Sequence, residues 1–413
     1  MTGNYAEFTR EMKQAGYTIL IPNMLPIHFR LIGEVLAKDG YKVELLEDEG
    51  PEIAETGLRY IHNDACYPAI LVAGQFIRAI ESGRYDVSKL ALMLSQTGGG
   101  CRASNYIFLL RKALAKAGYG HIPVISLSLS GLERHSGFQL SLSLLSRMLY
   151  AVVYGDLLML LSNQCRPYEL SPGDSQALIE RWVKRLGREL RQLGAAGGAR
   201  LKSNLRAITR DFAALPVRRV KKPRVGLVGE IYVKFSSLGN NDLQQFLLDA
   251  GAEVSVPGLL DFLYYSLSDH VFDCLLYGRD KLAQPLYKAA LGFVRSLQAK
   301  IIEAVSRESR FAPPAPISRT LSLIDGFISP GVKMGEGWLL PAEMLELYAG
   351  GVKNIVCAQP FGCLPNHICG KGMMRPIKLA YPDVNIVAID YDAGATRVNQ
   401  VNRLRLMLSN AQE

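Results

Sequence analysis

The 413-residue sequence predicts an α/β protein of two domains, each built on a parallel sheet, joined by a helical segment. Three observations carry this reading. Apolar runs of roughly four to eight residues, bounded by Gly, Pro or Asn, alternate with helical patterns, as strands buried on both faces do. The alternation stops at a polybasic stretch and then starts again. Hydrophobic residues make up 49% of the chain, enough for two full-sized cores.

In order along the chain, strands are expected over 17–22 and 41–46 with a helix over 26–38 between them. Strands over 90–95 and 122–129 follow, separated by a helix over 104–116. Past the basic stretch, strands are expected over 225–233, 253–256, 354–357 and 385–389, with helices near 242–249, 341–348 and 399–408. Strand–helix alternation with short turns implies right-handed crossovers. The domains are placed at 1–165 and 224–413, with a basic helical linker at 166–223. The halves share architecture only, since no close sequence repeat is visible. Two such sheets leave a cleft at the carboxyl ends of their strands, where ligands bind in this class.

The charge is localised. The chain carries 47 Lys and Arg against 38 Asp and Glu, a net +9. Between Arg181 and Arg224 there are 14 basic residues and two acids, Glu189 and Asp211. This local +12 leaves the remainder at −3. The segment reads as two amphipathic helices and a polybasic tail: a solvated bridge between domains, or a dock for an acidic protein. Only Trp182 and Phe212 punctuate the charges, which argues against nucleic acid. The polar first residues and the lack of an apolar run of roughly 20 residues lead to the expectation of a soluble cytoplasmic protein away from membranes. The longest apolar candidate, 148–161, is interrupted by Asp156.

Seven cysteines are too few for a disulfide scaffold in a chain of this length. Their positions are more telling. Cys66 stands where a loop enters an apolar helix, and Cys101 follows a strand and three glycines. Cys165 ends an apolar helix. Cys357, Cys363 and Cys369 span a strand end, a Pro/Gly turn and the next helix start. Most of them are expected to face the cleft, whereas Cys274 reads as mid-helix and apolar. With six histidines in the chain, thiolate ligation points to iron–sulfur or zinc. The absence of CxxC pairs disfavours structural zinc. Ligands from distant loops fit a cluster cradled between domains, with nearby glycines letting backbone N–H groups approach it. No GxGxxG or Walker A string occurs, so ATP hydrolysis by this chain is not expected. His367, four residues after Cys363, raises a Cys–His pair as a minor possibility. Glu230 and Lys234 are placed near the cleft, as a loop ion pair more readily than as substrate contacts.

The strings NDACYPAILVAGQ, SQTGGGCRASNY, HIPVISLSLSGLE, MGEGWLLPAEM, QPFGCLPNHICGKGM and NIVAIDYDAGATRVNQVNRLRLML resemble the 2-hydroxyacyl-CoA dehydratase superfamily. Within it they are similar to the double-cubane cluster proteins and to the C-terminal region of large CoA-enzyme activases. The likeness runs from about Ile19 to Leu408, largely skipping the basic linker. It implies two Rossmann-like domains, a homodimer, and a double-cubane cluster of two sulfide-bridged 4Fe–4S units held by six cysteines. Carried onto this chain, the ligands are Cys66, Cys101, Cys165, Cys357 and Cys363. Cys369 is preferred over Cys274 as the sixth, because it follows Cys363 on one segment. The implied activity is reduction of a small substrate with low-potential electrons from a separate ATP-hydrolysing iron–sulfur activator, for which the basic linker is a candidate dock. The rival readings are a 2-hydroxyacyl-CoA dehydratase subunit with one 4Fe–4S cluster and a non-catalytic electron carrier.

Overall fold

The computed structural model describes residues 5–95, 101–127, 135–193, 198–218 and 220–411. The glycine run before Cys101, the last two residues of the strand expected over 122–129, and Arg219 lie outside the described residues. Eight strands form two four-stranded parallel sheets. The first contains β1 (Thr18–Pro22), β2 (Lys42–Leu46), β3 (Leu90–Ser95) and β4 (Val124–Leu127), in the order β2-β1-β3-β4. The second contains β5 (Arg224–Gly229), β6 (Glu253–Ser255), β7 (Asn354–Pro360) and β8 (Asn385–Tyr391), in the equivalent order β6-β5-β7-β8. Both halves are thus α/β with the same strand order, compatible with Rossmann-like domains.

One strand is shorter than its sequence suggests. The apolar run 225–233 splits at Gly229, whose φ of +142° a side chain could not adopt without strain. Glu230 then caps a short helix, Ile231–Phe235, by accepting the Val233 N–H at 2.9 Å. The break turns Glu230 toward the space between the sheets.

The basic segment is packed rather than free. It forms the helices Asp174–Leu193 and Gly198–Ala213, which bury Trp182, Leu186, Leu205 and Phe212 in the core beneath the first sheet. Part of its charge is consumed: Arg191 pairs with Glu34, while Lys202 and Arg206 meet Glu303.

The Leu142–Cys165 helix ties the halves together. It is the one described helix long and apolar enough to cross a membrane, and most of that stretch is buried in the core. Asp156, in its middle, accepts hydrogen bonds from the Leu259 and Leu260 N–H groups at 2.8 Å each. It thereby caps the Leu259–Tyr277 helix of the second half and meets His28 of the first at 2.8 Å. Asp156→Ala is expected to lower unfolding stability by at least about 2 kcal/mol, because it leaves two buried N–H groups and a buried imidazole without their partner. Urea denaturation checks this.

Candidate functional site

In a parallel sheet of this order, the crossovers after the two central strands leave in opposite directions and open a crevice at their carboxyl ends. The two crevices face each other across a cavity of about 160 Å³. Ile21 and Pro22 at the end of β1, Leu94 and Ser95 at the end of β3, Glu230 after β5 and Cys363 after β7 all line it.

Three of the six expected cysteines meet here: Cys66, Cys101 and Cys363. Cys66 is the N-cap of the Tyr67–Glu81 helix, whose early proline suits a first turn. The next N–H, of Tyr67, donates to the Phe361 carbonyl at 3.1 Å and stitches this segment to the loop carrying Cys363. Cys101 caps a 3-10 turn, its sulfur accepting the Ala103 N–H at 3.4 Å. Two glycines allow the approach. A side chain on Gly362 (φ +75°) would start 3.2 Å from the Cys66 Cα. One on Gly335 (φ +61°) would start 2.9 Å from Pro365 and 3.6 Å from the Cys101 sulfur.

The electrostatics are those of a dry, acid-rich pocket. Burial pushes the Cys66 thiol up to about 12, with Glu230 adding to the shift. Cys363 is driven well above its ordinary range by burial, then by Glu336 and Glu230. The Tyr106 hydroxyl lies 2.7 Å from the Cys66 sulfur, and burial holds this phenol in its protonated form. Burial, reinforced by Glu336, raises Glu230 to about 8. Glu336 accepts the Ile231 N–H at 3.0 Å. Lys234 turns away from Glu230 to meet Glu343 at 2.9 Å, both side chains almost fully buried. The expected Glu230–Lys234 loop pair is therefore replaced by a buried Lys234–Glu343 pair, with Glu230 on the cavity wall.

The other cysteines lie elsewhere. Cys357 is wholly buried within β7, its thiol 3.6 Å from the Asn366 side-chain oxygen. Cys369 is buried in the π-helical turn Asn366–Lys371 that covers β7, and burial pushes it up to about 11. Cys369 and Cys101 both act electrostatically on the buried Tyr265 phenol, though Cys369 does not line the cavity. Cys165 does not come to the cavity. It ends the Leu142–Cys165 helix, buried in the core beside the basic segment. There it contacts the Phe212 carbonyl and Arg310 instead. Cys274 stands in the last turn of the Leu259–Tyr277 helix, partly exposed, rather than mid-helix in apolar surroundings. His367 does not form a Cys–His pair, since its ring nitrogen lies 2.8 Å from the Cys363 carbonyl oxygen rather than its thiol.

Sequence reasoning missed Tyr106, Glu336 and Glu343. Tyr106, five residues after Cys101 in SNY, and the two glutamates of MGEGWLLPAEM lie in strings that carry the resemblance, but nothing in their spacing marked them. Among the described residues, no three His, Cys, Asp or Glu side chains close around a single metal ion. The three thiols surround a space instead. No family model matches the chain, and no curated protein matches it.

Proposed function

We propose that the chain is an iron–sulfur reductase component that holds one cluster through Cys66, Cys101 and Cys363. The observation that carries this is the convergence of three thiols from both halves on one cavity at the carboxyl ends of the central strands. The residues suit the group. They are soft sulfur donors with no histidine on the wall, closed in by glycines that leave room for inorganic sulfide. A cubane has four irons and takes four thiolates when fully ligated, so three leave one iron without a protein ligand. When bound, such a cluster supplies single low-potential electrons and one open iron site.

The chain's own residues define the rest. Ile21, Val72, Leu94 and Phe262 exclude water. The Cys66 and Cys363 thiols, raised by burial, must give up protons on ligation, so incorporation is favoured by rising pH. Tyr106 keeps its proton and donates to the Cys66 sulfur, while Glu230 holds a proton at the cavity at neutral pH. Tyr106→Phe is expected to retain its iron but shift the midpoint potential negative, on the order of tens of millivolts, because a hydrogen bond to a ligand sulfur stabilises the reduced state. Redox titration followed by EPR reads this directly.

The resemblance supplies the electron source: a separate ATP-hydrolysing iron–sulfur activator, for which the basic 218–222 sequence is the candidate dock. Mixing the anaerobically purified protein with such an activator, ATP and a reductant should bleach its visible absorbance only when ATP is hydrolysed. Neutralising Arg218, Arg219, Lys221 and Lys222 should weaken this and its salt sensitivity. Bleaching that needs no ATP, or a colourless protein containing zinc, would contradict the reading. The double-cubane arrangement is a second reading, supported by Cys369 and Cys101 both acting on the Tyr265 phenol. It requires Cys165 to leave its contacts with Arg310.

A further inference from the structure

A second cavity, of about 340 Å³, lies at the β6 edge of the second sheet and shares no lining residue with the thiol cavity. It is bounded by Leu160, Val256, Ile301, Ile302 and Leu347, with a stiff wall of prolines at 313, 314 and 316. Close-packed interiors leave few voids larger than a water molecule, whereas small-molecule sites fall at roughly 300–1,000 Å³ with mostly apolar walls and a few placed polar groups. This cavity is of the second kind.

Its polar side chains are mostly engaged already: Asp156 by His28 and the Leu259 and Leu260 N–H groups, and Gln164 by the Ala312 backbone. Gln298 donates to Asp261 at 2.8 Å and accepts the Ile317 N–H at 2.9 Å. Arg224 is engaged by Glu253 and the Gly350 carbonyl. Two groups remain. The Asn163 side chain, 4% exposed, uses its oxygen to accept from Gln244, and its amide nitrogen has no partner. Arg319 is exposed on the wall, acts on Glu346 through space and forms no ion pair among the described residues. Glu346 itself is raised to about 7 by burial and then by Glu343, so it is only about half ionised at neutral pH.

An apolar interior, a spare amide donor and an uncommitted guanidinium on the wall complement a molecule with an apolar body and an anionic head. We propose that this cavity is a second binding site, for a small amphipathic carboxylic acid whose chain lies among Leu160, Ile301, Ile302 and the prolines and whose carboxylate meets Arg319. The site is independent of the cluster assignment, because none of its walls belongs to the thiol cavity.

Isothermal titration of the full-length protein, kept anaerobic, with decanoate below its micellar concentration tests the proposal; decylamine serves as the charge-reversed control. The expected result is saturable binding of one decanoate per chain. Arg319→Ala should weaken it about tenfold or more, the loss of one charge-assisted contact. Ile302→Trp should abolish it by filling the cavity, with circular dichroism confirming the fold. Decylamine should bind at least about tenfold more weakly than decanoate, for the same missing contact. Arg319 is exposed, so its variant reads out even if Ile302→Trp does not fold. Absence of decanoate binding, equal binding of decylamine, or binding indifferent to Arg319→Ala would overturn the proposal.

Discussion

Serine in place of Cys66, Cys101 or Cys363 is expected to remove most of the protein's iron and visible colour, whereas Cys165→Ser and Cys274→Ser should leave both at the wild-type level. The contrast follows from placement. The first three thiols share one cavity wall, reached from three segments held together by the Tyr67 N–H bond to Phe361 and by Gly335 and Gly362. Removing any one leaves two soft donors from the protein, too few for a cluster to outcompete loss of iron to solvent. Cys165 instead packs against Phe212 and Arg310, where a hydroxyl replaces the thiol at a cost of about 1 kcal/mol in stability. Iron analysis of each variant beside its melting curve separates a ligand from a packing residue.

Lys234→Met is expected to cost about 3–5 kcal/mol of unfolding stability at neutral pH, because it leaves a buried carboxylate without its counter-charge. The pair it breaks is almost inaccessible, with side chains 3% and 2% exposed. Lys234 also lowers the acids around it: Glu230, Glu336, Glu346 and Asp261 all feel its charge while burial drives them up. Adding Glu343→Gln to Lys234→Met should recover much of the loss, since the neutral amide no longer needs a cation. Denaturant unfolding of the two variants measures the coupling. A Lys234→Met loss below about 1 kcal/mol would mean that water reaches the pair.

The architecture was legible because parallel strands buried on both faces leave short apolar runs, and these survive as β1 to β8 with ends shifted by a few residues. The run 225–233 misled because its apolar character continues through Gly229, while the chain turns there into a helix that still needs buried side chains. The basic segment read correctly as helices. What sequence could not show is that Trp182, Leu186 and Phe212 dock it into a core shared by helices of both halves. At the site, Cys66, Cys101 and Cys363 were visible because each stands where a loop meets a helix beside the cleft. Cys165 stands at a similar junction, but its helix is long enough to carry it away. Tyr106, Glu336 and Glu343 were invisible for the opposite reason. Their meaning comes from neighbours far off in the chain, as when Glu336 meets Ile231 and Glu343 meets Lys234.

The central claim is that one cluster is held by three thiols, and its most direct test is the iron and acid-labile sulfide content of the anaerobically purified wild-type protein. About four irons and about four sulfides per chain are expected. About eight irons per chain, or zinc without sulfide, would contradict it.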